Sequence, residues 1–370
     1  MNCYIKINSR NKAKQDIDQL MAGMGYRNIA VSGVGGKKVE TFLRKVFTLA
    51  ASLFRLHKGD VLLMQYPYKK FYALQCRLAH LKGAKVITLI HDLGTFRRRK
   101  LTAEQEMRRL SHTDYIIAHN DRMKQWLVEH GRSAATIGTL GIFDYLSDEA
   151  IKGVRSEELG VRSEELGVRS EELGVRSEEL GVKISNLKFQ ISNIIYAGRL
   201  GERKNAFLYQ ASDEIEGCVM DLYGSGNLDY SRFGKNIHHH GRIDSDKFIS
   251  MDKDGWGLVW DGDSCNGCGG IWGEYLKINN PHKCSFYLRA GLPVIVWSQS
   301  AMADFVLTNK VGIAVERLSD IPEAIQGVGE QELSQIKDNV ASMQQRLNEG
   351  YYFKRSMAEA LGQSVIKNKG

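Results

Sequence analysis

The residues from Asn279 to Trp297 carry the densest chemistry in the chain. Asn279-Asn280-Pro281-His282-Lys283-Cys284-Ser285 sets a lysine and several polar groups where a helix begins. Gly291-Leu292-Pro293 then stops that helix ahead of the apolar strand Val294-Ile295-Val296-Trp297. A helix start carries unpaired N–H groups and a partial positive charge, so it can hold a phosphate, and Lys283 adds a full charge. Gly198-Arg199-Leu200 ends another strand and leads past Glu202-Arg203 to Lys204-Asn205, a short basic loop that suits a pyrophosphate or an ordinary strand-to-helix turn. Tyr223-Gly224-Ser225-Gly226 resembles a phosphate or base loop, but lacks the full Gly-x-Gly-x-x-Gly spacing of a dinucleotide site. In the first half, Gln65-Tyr66-Pro67-Tyr68 and His91-Asp92-Leu93-Gly94 fall at strand ends, where parallel sheets collect their ligands.

Two runs invite a metal. Cys265-x-x-Cys268 supplies half of a zinc set, with Cys284 and His282 as candidates for the rest. The ordinary-loop reading is preferred. His238-His239-His240 reads as a strand end, because alternate strand residues face opposite ways. Six scattered cysteines in 370 residues fit a reducing compartment better than a disulfide framework.

Those loops need a frame, and the hydrophobic pattern supplies one. Strand patterns at 4–7, 28–31, 61–65, 85–90 and 115–118 alternate with helical ones at 12–24, 39–56, 71–81, 103–110 and 123–130, which predicts a parallel sheet covered by helices. A second such pattern opens at Asn193 and runs through strands at 219–223, 237–239, 258–260 and 294–297. A last helical pattern, 351–366, is placed to cross back onto the first unit. The expected organisation is a Rossmann-like domain at 1–150, a linker at 151–183, a second Rossmann-like domain at 184–350 and a returning helix at 351–370. An α/β architecture of two doubly wound domains facing a cleft follows.

Composition narrows the class. With 43% hydrophobic and 25% charged residues the chain reads as soluble and globular, and no run of about 18 apolar residues suggests a membrane span. The N-terminus lacks the long apolar region of a signal peptide, so a cytoplasmic location is expected. The net charge of +8 is uneven: residues 1–150 hold 25 Lys and Arg against 13 Asp and Glu, a net +12. Residues 151–183 and 184–370 each come to −2, from 6 against 8 and 20 against 22. Such a basic half suits an anionic partner or a merely solvated surface. No aromatic-basic stacking motif accompanies it, so nucleic acid is not expected.

Val-Arg-Ser-Glu-Glu-Leu-Gly occurs four times without change across 154–181. Val and the next Leu stand five apart, about 140° around a helix, so no coiled-coil stripe forms. Each copy also carries a glycine costing about 1 kcal/mol in a helix interior. An exposed, marginally helical or disordered linker is expected.

The blocks Gly257-Leu258-Val259-Trp260-Asp261-Gly262-Asp263, Gly273-Glu274-Tyr275-Leu276-Lys277, Asn279-Asn280-Pro281-His282-Lys283 and Gly291–Trp297 resemble the bacterial β-1,6-galactofuranosyltransferase-like and adhesin glucosyltransferase-like family. The likeness reaches the first half through Ala13–Ile17, Gln65-Tyr66-Pro67, Ile90-His91-Asp92 and Phe143–Leu146, and spares only 151–183. It implies a GT-B fold, with a nucleotide sugar on the second domain and the acceptor on the first. It also implies no metal cofactor, since cationic side chains and helix ends neutralise the leaving diphosphate, and it places Cys268 in a loop without a metal.

Carried onto this chain, Lys283 and Arg199 contact phosphates with Lys204 and Gly224 beside them, Tyr223 lies near the base or ribose, and Asn280 and Ser285 position the donor. The Glu-x7-Glu pair of retaining GT-B enzymes is absent, its places being taken by Ile278 and Phe286, so inversion is expected. Inversion needs a general base. Asp92 with His91 beside it is the first choice, and Asp16 and Glu274 compete. Tyr66, Arg97, Arg98 and Arg99 are expected at the acceptor or at lipid phosphate. The resulting expectation is transfer of a hexose, galactofuranose or glucose, from a UDP-sugar to a glycan or lipid-linked saccharide of a surface polysaccharide or glycoprotein. The enzyme would work in the cytoplasm at an anionic membrane surface, with self-association left open. The alternatives are a nucleotide-sugar-modifying enzyme such as an epimerase, and a non-catalytic partner subunit of another transferase.

Overall fold

A computed structural model describes residues 1–7, 9, 11–31, 38–68, 71–97, 99–150 and 192–362. The heptapeptide repeats, Arg98 and the end of the predicted last helix lie outside the described residues.

The apolar runs become strands β1 (Asn2–Tyr4), β2 (Arg27–Asn28), β3 (Val61–Tyr66), β4 (Lys85–Ile90), β5 (Tyr115–Ala118) and β6 (Ile137–Thr139) in the first half. In the second half they become β7 (Ser192–Leu200), β8 (Cys218–Gly226), β9 (Ile237–His239), β10 (Trp256–Val259), β11 (Val294–Trp297) and β12 (Gly312–Val315). Two six-stranded parallel sheets result, ordered β2-β1-β3-β4-β5-β6 and β12-β11-β10-β7-β8-β9. The two doubly wound α/β units expected from the pattern are therefore present. Parallel strands covered on both faces must be apolar on both sides, and β4 and β11 are accordingly buried almost throughout. Pattern reading misses β6 and β12, because Ile-Gly-Thr and Gly-Ile-Ala-Val are too short and too glycine-rich to show a period.

Strand order locates the crevices. The second sheet grows outward from β7 through β8 to β9, then restarts on the other side of β7 with β10. At such a reversal the loops diverge, and a ligand fits outside the carboxyl ends of β7 and β10. Those ends are Gly198–Leu200 and Trp260-Asp261. In the first sheet the corresponding reversal separates β1 from β3, with β4 next to it ending at His91-Asp92.

The units are closely joined. The helix Glu330–Glu349 ends at Gly350, whose φ of 73° lets the chain turn directly into the helix Tyr351–Ala360. A Cβ there would also press on the Leu20 side chain, 2.1 Å from its Cδ2, which would have to shift. The backbone N–H groups of Tyr352 and Phe353 donate to the Asp144 carboxylate at 3.1 and 2.7 Å, and Ser356 donates to the Thr139 carbonyl. This helix thereby packs against β5 and β6 of the first sheet. One apolar cluster accordingly runs from Leu63 and Ile117 of the first sheet to Phe353 and into the second unit.

Candidate active site

Two adjoining cavities occupy the cleft. The larger, about 570 Å³, is lined by the ends of β7 and β8 and by the first turn of the helix His282–Arg289. The smaller, about 220 Å³, reaches from that turn to His91, Asp92 and Arg97 of the first unit. Lys204, His282 and Lys283 border both.

At this border sits a charge cluster. Asp261, at the end of β10, lies between two lysines, with Lys204 Nζ 3.0 Å from one carboxylate oxygen and Lys283 Nζ 3.4 Å from the other. The Tyr196 hydroxyl stands 3.2 Å from Asp261, accepts from Asn205, and presents its ring 3.6 Å below the Lys283 ammonium. Burial pushes the Asp261 carboxyl up, but the charges of Lys204 and Lys283 outweigh it and hold the group below the usual carboxylate range. Burial brings Lys283 down to about 8, against the pull of Asp261. The cluster carries one net positive charge in a poorly hydrated place, where it acts on an anion far more strongly than in water.

Glycine is needed where backbones converge here. Gly198 and Gly224 face each other across the β7–β8 ladder, and a Cβ on Gly224 would fall 1.8 Å from the Gly198 carbonyl oxygen. Gly198, Arg199, Tyr223 and Gly224 all line the larger cavity. Tyr223 is held by Lys253, which donates to its hydroxyl at 2.8 Å, and by the stacked ring of His240 at 4.8 Å.

Asn280 and Ser285 sit differently from their expected donor contacts. Asn280 is 4% exposed and its amide is occupied: it accepts from Asn120 at 2.7 Å and donates to the carbonyls of His119 at 2.7 Å and Gly141 at 2.9 Å. Its backbone N–H donates to His119 Nδ1, so it is a strut between the domains at the cavity wall. Ser285 is 1% exposed and lines neither cavity. Two residues past Lys283 is about 200° around a helix, which turns its hydroxyl into the core.

On the facing side, Asp92 accepts from the Tyr275 hydroxyl of the second domain at 3.2 Å and pairs with Arg97. Arg97 lines the smaller cavity. Arg99 is exposed with φ 44°, Arg98 lies outside the described residues, and Tyr66 is a correction. Tyr66 is 1% exposed, packs edge-on to Tyr72 and donates its hydroxyl to Glu106, because the last residue of β3 turns toward the helix side. Neither competing base borders either cavity: Asp16 is buried against Lys12, and Glu274 pairs with Lys277 at 2.8 Å.

Three histidines surround Phe143 beneath the smaller cavity: His91 stacks on it, and His119 and His282 meet it edge-on. His119 is fixed as the Nε2–H tautomer, donating to the Ile90 carbonyl while Nδ1 accepts from Asn280. Burial brings His119 down to about 3 and, with the Lys12 charge, His282 to about 4. Burial, with the Lys14 charge, puts His91 well below its ordinary value. All three are neutral at pH 7. The Nε2 atoms of His91 and His282 are buried and find no hydrogen-bond partner among the described residues, and both residues border the smaller cavity. Sequence reading assigned no role to Asp261, His119 or Tyr275, because strand order and domain contact bring them in from distant segments.

The metal readings find no set of ligands. Among the described residues no group of three or more His, Cys, Asp or Glu is placed to hold an ion. His238 and His240 approach Asp221, whereas His239 bonds the Gly224 carbonyl. Burial raises the thiols of Cys265 and Cys284 to about 12.

Comparison with known proteins agrees with this architecture. Residues 4–142 match the N-terminal domain, and residues 194–360 the C-terminal domain, of the glucosyltransferase 3-like family. The chain is 29% identical over 351 residues to the β-1,6-galactofuranosyltransferase WbbI of Escherichia coli (strain K12), covering 93% of this chain and 92% of that protein. It is 27% identical over 132 residues to glucosyltransferase 3 of Streptococcus parasanguinis, 35% of this chain and 38% of the relative. Among solved structures, the lipopolysaccharide outer core galactosyltransferase WaaB superposes with a TM-score of 0.57 at 12% identity, covering 98% of both chains. Anabaena HepE in complex with UDP gives 0.54 at 11% identity, covering 98% of this chain and 99% of its own. The fold is GT-B.

Proposed function

The chain belongs to the glucosyltransferase 3-like family and is a glycosyltransferase, and on that premise we propose that it moves a hexose, galactofuranose or glucose, from a UDP-sugar to a glycan acceptor, with inversion and without a metal. The observation that carries this reading is the Lys204–Asp261–Lys283 cluster on the border of two cavities. The diphosphate lies there, held by both lysines, by Arg199 and by the N–H groups at the start of the helix His282–Arg289. The nucleoside occupies the larger cavity beside Tyr223. The hexose points into the smaller one, where the buried Nε2 atoms of His91 and His282 offer hydrogen bonds to its hydroxyls. The domain at 184–350 thus holds the donor, that at 1–150 holds the acceptor, and 151–183 joins them.

In the reaction an acceptor hydroxyl attacks the anomeric carbon as the bond from that carbon to the β-phosphate oxygen breaks. The hydroxyl proton passes to Asp92, and the charge on the departing UDP is stabilised by Lys204 and Lys283. Tyr275 and Arg97 keep the Asp92 carboxylate aimed into the cleft. Support for the donor class comes from WbbI, named a galactofuranosyltransferase, and from HepE, solved with UDP and with UDP-glucose.

The test is transfer from UDP-galactofuranose and UDP-glucose to saccharide acceptors, with the anomeric configuration of the product read by NMR. Inverted product in the presence of a chelator is expected, and Asp92→Asn should reduce turnover by at least about 100-fold with UDP affinity unchanged. Retained configuration, a chelator-sensitive reaction or full turnover in Asp92→Asn would each contradict the assignment.

A further inference from the structure

The helix Lys38–Arg55 is built the wrong way round for the surface of a protein that meets only water. Phe42, Leu43, Val46, Phe47, Ala50, Leu53 and Phe54 are all exposed, with Phe47 at 57% and Phe54 at 81%. At 100° per residue they fill one arc of about 140° with no polar residue among them. The opposite arc, facing the protein, holds Thr48 and Ser52 beside Leu49 and Leu56. Those two hydroxyls are fully employed: Thr48 accepts from Val31 N–H at 3.2 Å and donates to the Arg44 carbonyl, and Ser52 accepts from Gln75 at 2.7 Å. The inward polarity is therefore matched, and the outward apolar stripe is left uncovered by the described residues. Phe71 packs on Phe42 at 5.5 Å, and the adjoining helix Tyr72–Leu81 exposes Leu74 and Leu81. A contiguous patch of this kind on a soluble protein marks a contact surface.

Charge selects the occupant. The helix carries Lys38, Arg44, Lys45 and Arg55 against a single Glu40, within a half-chain of net charge +12. A second copy of the chain on this face would bring two such halves together at the cost of strong repulsion. An anionic lipid surface meets both demands, taking the aromatic stripe into the acyl boundary and the cations at its headgroups. We infer that the helix Lys38–Arg55 docks the enzyme on anionic membranes, lying in the plane of the interface. Among the described residues no helix is long and apolar enough to cross a membrane, which suits attachment of this kind.

The experiment is co-sedimentation of the full chain with vesicles of phosphatidylethanolamine and phosphatidylglycerol, and separately with phosphatidylcholine alone. Binding to the anionic vesicles is expected, much weaker binding to the neutral ones, and a loss of about tenfold or more in a Phe47→Glu/Phe54→Glu double variant. Both side chains are exposed and neither borders the cleft, so circular dichroism and UDP titration of the variant should match the parent; this separates the membrane inference from the reaction above. Absence of binding to anionic vesicles overturns the inference, as does binding unchanged by the double substitution. So would a dimer seen by analytical ultracentrifugation that the substitutions dissolve, since the stripe would then be a contact between copies.

Discussion

Lys283 owes its character to burial and to Asp261. Its side chain is only 13% exposed, and with a pKa of about 8 it is mostly charged at pH 7 but half neutral one unit higher. Only the charged form attracts a diphosphate, so UDP affinity should fall as pH rises through about 8, well before an exposed lysine would begin to titrate. Because the bound anion favours the charged ammonium, binding at pH 8 should draw in about half a proton from solvent. Calorimetry in buffers of different ionisation enthalpy reads that uptake directly. Lys283→Arg should bind UDP with a flat profile from pH 7 to 9. The lysine at a helix start was legible in the sequence, since both the residue and its helix are local. Its partner was not: Asp261 stands 22 residues away and meets it only because the helix His282–Arg289 packs against β10. The misplacements of Ser285 and Tyr66 have the same origin, because local spacing locates a residue near a site while helical phase or strand face decides whether it points there.

The elements that shape the site depend on a few backbone positions. The β7–β8 ladder brings Gly198 opposite Gly224 with no room for a side chain between them. Gly224→Ala should cost about 3 kcal/mol, seen as a lower denaturant midpoint, and should weaken UDP binding by splaying the two strand ends. Unchanged stability would show that the ladder yields there. The strands that build this floor were readable from the sequence because they are long and apolar. The edge strands β6 and β12 were not, since three or four residues containing glycine carry no period.

For the molecule as a whole, polar contacts from Asn280 and Arg122 add to those of the last helix and of Tyr275 in holding the two domains in register. Asn280 joins Asn120, His119 and Gly141, and Arg122 reaches the Gln299 carbonyl at 2.6 Å and Asp304 at 3.3 Å. With three side-chain hydrogen bonds worth about 1 kcal/mol each, Asn280→Ala should cost about 2–3 kcal/mol, since the contacts to Asn120 and to the carbonyls of His119 and Gly141 are lost. Small-angle scattering should then show a larger radius of gyration, and turnover should fall more than UDP affinity, because the donor half stays intact while its alignment with Asp92 loosens. Pattern and resemblance made the two-domain plan legible, but the closure between domains was not, since it depends on residues separated by as many as 217 positions. The central claim is that a UDP-sugar diphosphate binds at the junction of Lys204, Lys283 and Asp261. Titration calorimetry of UDP against the parent chain and Lys283→Ala at pH 7 tests it most directly. Micromolar binding in the parent that weakens by about 30-fold or more in the variant is the predicted result, as for loss of a buried ion-to-phosphate contact worth about 2 kcal/mol or more. Tight binding unaffected by the substitution would contradict it.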